Sequence, residues 1–310
     1  MFFRAIISIG LLGTGIFIQG SAVQQGSNMH MYAFFIEAFE KDGVSTEAEA
    51  YHLLKETPLP ADISYVAIPW AFLINNKNLD LVEKLSLSFK NGVTVCQHIR
   101  YEKIIPLLKK IGVTTLFTPH ASAFKTYDGV KVLAFPHVAK NGVLGASIKD
   151  VWYSLIGYDS HPVRTVLFKM SHPENTIIKE RKYWHWARDS FIPNCVTQDQ
   201  QKAEAVEYQD VLARSRFSLC PRGTGPSTIR FWESLQAGAI PVLLADEMML
   251  PDGFDWDTCV VKIAEKDAQK INEILKKISP EQENDMRAQC LKAYELFSGE
   301  NLVRCIRLHY

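Results

Sequence analysis

Along almost the whole chain, short apolar runs rich in β-branched and aromatic residues alternate with stretches whose apolar positions recur at helical spacing. In the first half, the strand-type runs fall at residues 31–38, 63–68, 93–97, 115–118 and 130–135. Between them lie helical patterns at 46–56, 78–89 and 101–111. The alternation then restarts: strand 152–157, a helix from Pro162, strand 176–179, helix 199–214 and strand 216–220. Helix 228–237, strands 240–244 and 259–263, and helices 267–278 and 280–297 complete it. Strand-then-helix alternation of this length predicts an α/β fold with largely parallel sheets. Two such sets predict two doubly wound, Rossmann-like domains facing a cleft, at 23–145 and 146–310, with the seam near 139–149.

The first 22 residues stand outside this pattern. Arg4 precedes an uncharged run, 5–18, which is followed by the small residues Gly20, Ser21 and Ala22. A basic start, an apolar stretch and a small-x-small site describe a secretory signal peptide. The stretch is short of the roughly 20 residues a bilayer span needs, and Gly10, Gly13 and Gly15 weaken it as a helix. The expectation is a leader at 1–22 and a mature chain starting near Val23, exported to a periplasm, an endomembrane lumen or the exterior. The alternative is a retained membrane anchor, since no charge follows until Glu37.

Composition narrows the function. Apolar residues at 47% and charged residues at 22% describe a chain with a full core. Lys+Arg and Asp+Glu are equal at 34 each and the basic residues are not clustered, which argues against nucleic acid as a partner. The six cysteines, Cys96, Cys195, Cys220, Cys259, Cys290 and Cys305, show neither CxxC nor zinc spacing. Cys96 and Cys220 sit inside apolar runs and read as core residues.

The richest chemistry lies at 215–246, SRFSLCPRGTGPSTIRFWESLQAGAIPVLLAD. This is a strand, a Gly-rich turn at 222–227, a helix, a glycine stop and a second strand. Ser227 is the expected N-cap and Gly238 the expected residue after the C-cap. A glycine-rich turn feeding a helix N-terminus presents free N–H groups to an anion. Arg230 and Glu233 share one helix face, and Glu233 stands roughly 9 Å along the helix at about 1.5 Å per residue. That suits a ribose diol when the diphosphate occupies the turn. The competing reading is an ordinary α/β turn with a surface Arg230–Glu233 ion pair. The turn lacks the lysine of a P-loop, and Thr228 occupies the place of the third dinucleotide-binding glycine. Kinase and dehydrogenase readings are thereby disfavoured.

The run LCPRG-x-GPSTIRFWE-x-LQAG-x-IPV-x-x-x-D resembles the exostosin family, glycosyltransferase family 47. Weaker likenesses extend it over roughly residues 60–300: Ala61-Asp62 with Ile68-Pro69-Trp70, Leu155-Ile156-Gly157 followed by Arg164, and Phe254-Asp255-Trp256. The resemblance implies a GT-B architecture. It also implies inverting transfer of a sugar from a nucleotide-sugar donor, a UDP-sugar, to a glycan acceptor, giving a β-linkage. Donor contacts carried over are Arg164, Arg222, Gly223, Gly225, Ser227, Arg230 and Glu233. Because cations and a helix start stabilise the leaving diphosphate, no metal or other cofactor is expected, and Asp255-Trp256-Asp257 is read as a loop that mimics a metal signature. The chain departs from the family at Pro119-His120, where relatives carry a His-Asp pair. His120 is the expected base, with an ordinary imidazole pKa of about 6.5; His98 and Asp62 are its rivals. The alternative function is a non-catalytic module that binds carbohydrate or a nucleotide sugar. A hydrolase would need a nucleophile elbow or a metal-binding carboxylate cluster, and neither pattern is present.

Overall fold

The computed structural model describes residues 7–9, 18–21, 31–41, 45–182 and 197–310, and the chain falls into two units. The first takes residues 1–138, 249–253 and 297–310; the second takes 139–248 and 254–296. The expected split at 145/146 thus differs on two counts. The chain leaves the first unit at Val138, and it later returns to that unit twice.

The first unit is built on β1 (Ile7–Ile9), β2 (Ile18–Ser21), β3 (Met31–Phe34), β4 (Ser64–Ala67), β5 (Gly92–Val95), β6 (Val113–Thr118) and β7 (Lys131–Ala134), side by side in chain order. β1 and β2 pair antiparallel, as do β2 and β3; from β3 onward every neighbour is parallel. Helices α1 (Ile36–Lys41), α2 (Thr46–Glu56), α3 (Trp70–Asn75), α4 (Asp80–Lys84) and α5 (Ile105–Lys110) fill the connections. β4 and β5 are buried throughout, as continuous apolar strands covered on both faces should be. Val66, Trp70, Leu73, Val82, Leu108 and Leu116 anchor the core, each almost wholly removed from solvent.

Helix α2 has the bounds that its pattern predicts, because Ser45 supplies a true cap: its hydroxyl accepts the Ala48 N–H at 3.2 Å. Two expected elements are shorter. The strand over 31–38 ends at Phe34, where Phe35 enters the left-handed region (φ 57°) and the chain turns into α1. The helix over 78–89 shrinks to α4, since Ser86 (φ 49°) breaks the helical path. Helix α3 has no counterpart among the predicted elements; its six residues are too few to display a period.

The second unit holds β8 (Val151–Tyr158), β9 (Ile177–Arg181), β10 (Ser215–Pro221), β11 (Ile240–Leu244) and β12 (Val261–Lys262), all parallel, in the order β12-β11-β10-β8-β9. Helices α6 (Pro162–Lys169), α7 (Gln198–Arg214) and α8 (Ile229–Gln236) connect strands, and α9 (Ile271–Leu275) and α10 (Pro280–Phe297) follow β12. The chain steps from β8 to β9 on one side, then crosses back to place β10 on the other. The strand order therefore reverses between β8 and β10. The α/β expectation with two parallel sheets holds; the reversal that marks double winding belongs to the second sheet, whereas the first runs in one direction.

At the amino ends of these strands, Glu283 is buried and pairs with both Arg216 and Arg287. The Arg216 guanidinium also covers the Trp152 ring at 4.3 Å. The last helix, α11 (Arg304–His309), belongs to the first unit again, where the Tyr310 hydroxyl donates to Thr115 Oγ1 at 2.7 Å. Cys96, Cys220, Cys259, Cys290 and Cys305 are buried free thiols. Cys195 and the expected cleavage site at Ala22–Val23 lie outside the described residues. Among the described residues no helix is long and apolar enough to cross a membrane.

Candidate functional site

Where strand order reverses, β8 and β10 run side by side with Tyr153 opposite Phe217, and their carboxyl ends open a crevice at which ligands bind in sheets of this type. Each strand leads into a turn and then a helix carrying an arginine in its first turn. After β8, His161 caps α6 by accepting the Val163 N–H at 3.4 Å and Pro162 takes the first helical position, which sets Arg164 in place. After β10, the turn at 222–227 leads into α8, where Arg230 is the second residue.

Arg164 ties the two strand ends together. Its Nε donates to the Arg222 carbonyl at 2.7 Å, Nη2 to the Pro221 carbonyl at 3.0 Å, and Nη1 to the Tyr158 carbonyl at 3.2 Å. Arg230 donates from Nη2 to the Ile156 carbonyl, and its Nε is buried without a partner. The two guanidiniums converge on Gly157: a β-carbon there would lie 3.2 Å from Arg164 Nη1 and 3.4 Å from Arg230 Nη2. Burial, and after it the charge of Arg230, lowers the Arg164 pKa to about 10. Two like charges held this close at the strand ends suit an anion.

The sequence misses a further cation. Arg181 ends β9, beside β8, with only 10% of its side chain exposed, and it pairs with Glu204 at 2.9 Å. Burial holds its pKa below the usual range against the pull of Glu204 and Glu207, and the Arg230 charge adds to the lowering. The pattern ends this strand at residue 179, two residues short of Arg181, so nothing in the sequence marks it.

Other expected donor residues occupy different settings. Arg222 is not a free cation: its Nη1 donates to Glu247 at 2.7 Å and lies 3.9 Å from Glu265, so carboxylates already meet its charge. Gly223 lies beside Arg164, whose Nη2 would be 3.8 Å from a β-carbon there. Gly225 and Ser227 are buried in the turn. Ser227 is not the N-cap; Thr228 holds that position with extended backbone and no side-chain cap bond, so α8 begins one residue later than its pattern implies. Gly238 stops the helix with φ 56°, as its type predicts. Glu233 is 4% exposed and makes no surface ion pair, since Oε2 accepts from the Tyr208 hydroxyl at 2.6 Å and Oε1 from the Asn141 N–H at 3.0 Å.

In the first unit, His120 follows β6 and is 6% exposed, its ring edge-on to His137 at 5.2 Å. Burial, and secondarily the charge of His98, lowers its pKa to about 4, well below the ordinary value expected for a base. His98 is held by Asn75 through Nε2 at 2.9 Å and accepts the Arg100 N–H at Nδ1. Asp62 stands exposed in a turn. Glu47, which the sequence reading passes over, is 3% exposed and accepts N–H groups from Ala71 at 3.2 Å and Gln97 at 2.8 Å. Asp255 accepts the Asp257 N–H at 3.3 Å to start a 3-10 turn, and Asp257 pairs with Lys262 at 2.7 Å. Among the described residues no group of three or more His, Cys, Asp or Glu side chains is placed to hold a metal.

The exostosin GT47 domain model matches residues 113–278. Over shorter stretches the chain is similar to the exostosin-1 homolog of Caenorhabditis elegans, at 33% identity over 101 residues, covering 32% of this chain and 26% of that one. It is likewise similar to the probable beta-1,4-xylosyltransferase IRX10 of Arabidopsis thaliana, at 38% over 76 residues, covering 24% and 18%. The chain thus aligns with about a quarter or less of each of these relatives. Among solved structures, the pneumococcal O-GlcNAc transferase GtfA in complex with UDP and GlcNAc is similar at 10% identity and a TM-score of 0.41, covering 88% of this chain and 58% of that one.

Proposed function

The chain belongs to the exostosin GT47 family, and on that premise we propose that it moves a sugar from a nucleotide-sugar donor, a UDP-sugar, to a glycan acceptor with inversion. The observation that carries this reading is the convergence of Arg164 and Arg230 on Gly157 where strand order reverses. Leaving-group departure places negative charge on the diphosphate, and fixed cations in a water-poor site stabilise that charge without reorganising. Gly223, Gly225 and Ser227 lie in the same turn, which leads into the N-terminus of α8, where a helix start favours negative charge. Glu233 accepts two hydrogen bonds inside the protein, and a carboxylate with roughly four acceptor sites keeps capacity for a ribose diol. His120 takes the acceptor hydroxyl proton as that oxygen bonds to the anomeric carbon and the bond to the diphosphate breaks. No metal enters this scheme.

The depressed basicity of His120 favours a second reading, a binding module that holds a nucleotide sugar without turning it over. Both readings are separated by one experiment. A thermal-shift screen against UDP-sugars identifies the donor by the stability it adds, and UDP release is then followed with and without a glycan acceptor. Acceptor-stimulated release supports the transferase; binding with no stimulated release supports the module; no binding by any nucleotide sugar removes both. Export through a leader at 1–22 is proposed as well, and N-terminal sequencing of exported protein that still begins at Met1 rejects it.

A further inference from the structure

Arg230 and Glu233 stand three residues apart in α8, both are buried, and neither partners the other. On a helix this spacing ordinarily brings opposite charges together, and burial strengthens the attraction. Each of them instead meets the same side chain from α7. Tyr208 donates its hydroxyl to Glu233 Oε2 at 2.6 Å, while the Arg230 guanidinium carbon lies over its ring, 4.9 Å from the centroid. The Asn141 N–H holds the other oxygen of the same carboxylate at 3.0 Å. A single buried phenol thus touches both members of the pair that does not form.

We infer that Tyr208 is a positioning residue that holds the Glu233 carboxylate away from Arg230, so that the guanidinium charge stays available to the donor's diphosphate. The inference rests on the donor-site reading above and adds to it the means by which the site keeps its charge. A carboxylate swung onto Arg230 would neutralise it, as Glu247 neutralises Arg222 in the same turn. The hydroxyl is suited to the role. Burial, and then the charge of Glu233, raises the Tyr208 pKa, so the phenol stays protonated and donates to the carboxylate. Without that donor, Glu233 loses a charge-assisted bond, and Arg230, three residues back on the same helix with its Nε buried and unpartnered, is a cation to which it can turn.

The test uses inorganic pyrophosphate, which carries the diphosphate charge and has no ribose, in competition with UDP on the full chain. Tyr208→Phe keeps the ring under Arg230 and removes only the hydroxyl. The expected result is that pyrophosphate binding weakens roughly tenfold. Adding Glu233→Gln, which leaves no charge to neutralise Arg230, restores it to within about threefold of wild type. A Tyr208→Phe chain that binds pyrophosphate as well as wild type overturns the inference. So does a double variant no better than Tyr208→Phe, because general loosening of the fold would not be rescued by a second buried change. If wild type binds UDP and pyrophosphate cannot displace it, the donor site stands and this inference alone falls. If wild type binds neither, both fall.

Discussion

The two sheets carry opposite chemistry at their carboxyl edges. In the second unit that edge holds Arg164, Arg181, Arg222 and Arg230, and strand order reverses beneath them. In the first unit the strand order advances one way without reversing, and the edge holds the acidic Glu47 with His98, His120 and His137, of which His98 and His120 have their basicity lowered by burial. The difference teaches that parallel strands alone do not make an anion site. A reversal opens a crevice into which helix starts from both sides can deliver cations; a sheet wound one way offers no such place, and here Glu47 and His98 are held by backbone N–H groups and Asn75.

The sharpest way to break this comparison is kinetic. His120→Gln should lower turnover roughly 10²–10⁴-fold if the first edge supplies the proton acceptor, with UDP affinity by calorimetry nearly unchanged. A fall of less than about fivefold moves the role to His98 or Asp62. Next in size is a contrast within the cationic edge. Arg230→Ala should weaken UDP binding by roughly ten- to a hundredfold. Arg222→Ala, whose charge Glu247 already meets, should change it less than about threefold. Equal losses in the two variants would show that the Arg222–Glu247 pair opens when donor binds.

A third prediction concerns pH. The folded-state pKa of His120 lies at about 4, below the ordinary 6.5. Between these values the unfolded chain binds the extra proton, so stability is fully present above about pH 6.5 and is lost as pH falls toward about 4. The loss is on the order of 3 kcal/mol. Urea unfolding at about pH 7 and about pH 4.5 should show it in wild type, and His120→Gln should have a flatter profile by a comparable amount. The smallest effect is expected from metal removal. Chelation by EDTA, or Asp255→Asn with Asp257→Asn, should leave transfer within about twofold of the untreated enzyme. Activity lost on chelation and regained with manganese would mean that the arginines do not carry the leaving charge alone.

How much of this was legible in the sequence depended on the range of the interactions involved. Helix α2 was readable to the residue, because Ser45, Thr46 and the acidic first turn sit next to one another in the chain. The turn at 222–227 and the Gly238 stop were readable for the same reason. Arg181 was not, because its worth comes from lying beside β8 in the sheet, and strand order is set by packing across the sheet. Glu47 was hidden because its partners, Ala71 and Gln97, lie 24 and 50 residues away. The weak basicity of His120 had no local sign at all; it follows from burial, which no neighbouring residue announces. The shortening of α4 turns on one backbone angle at Ser86, a residue whose type does not demand it.

The return of residues 297–310 to the first unit bears on how the protein is made. A ribosome delivers the chain from its amino end, and domains generally fold as their residues emerge. Here the second unit has all of its residues once Leu296 is out, while the first still waits for the segment that brings Tyr310 to Thr115. The unit encoded first is therefore the last to be complete, and its sheet must pass through synthesis with α11 missing. A chain ending at Leu296 and released from the ribosome should yield protease-resistant fragments from the second unit ahead of the first.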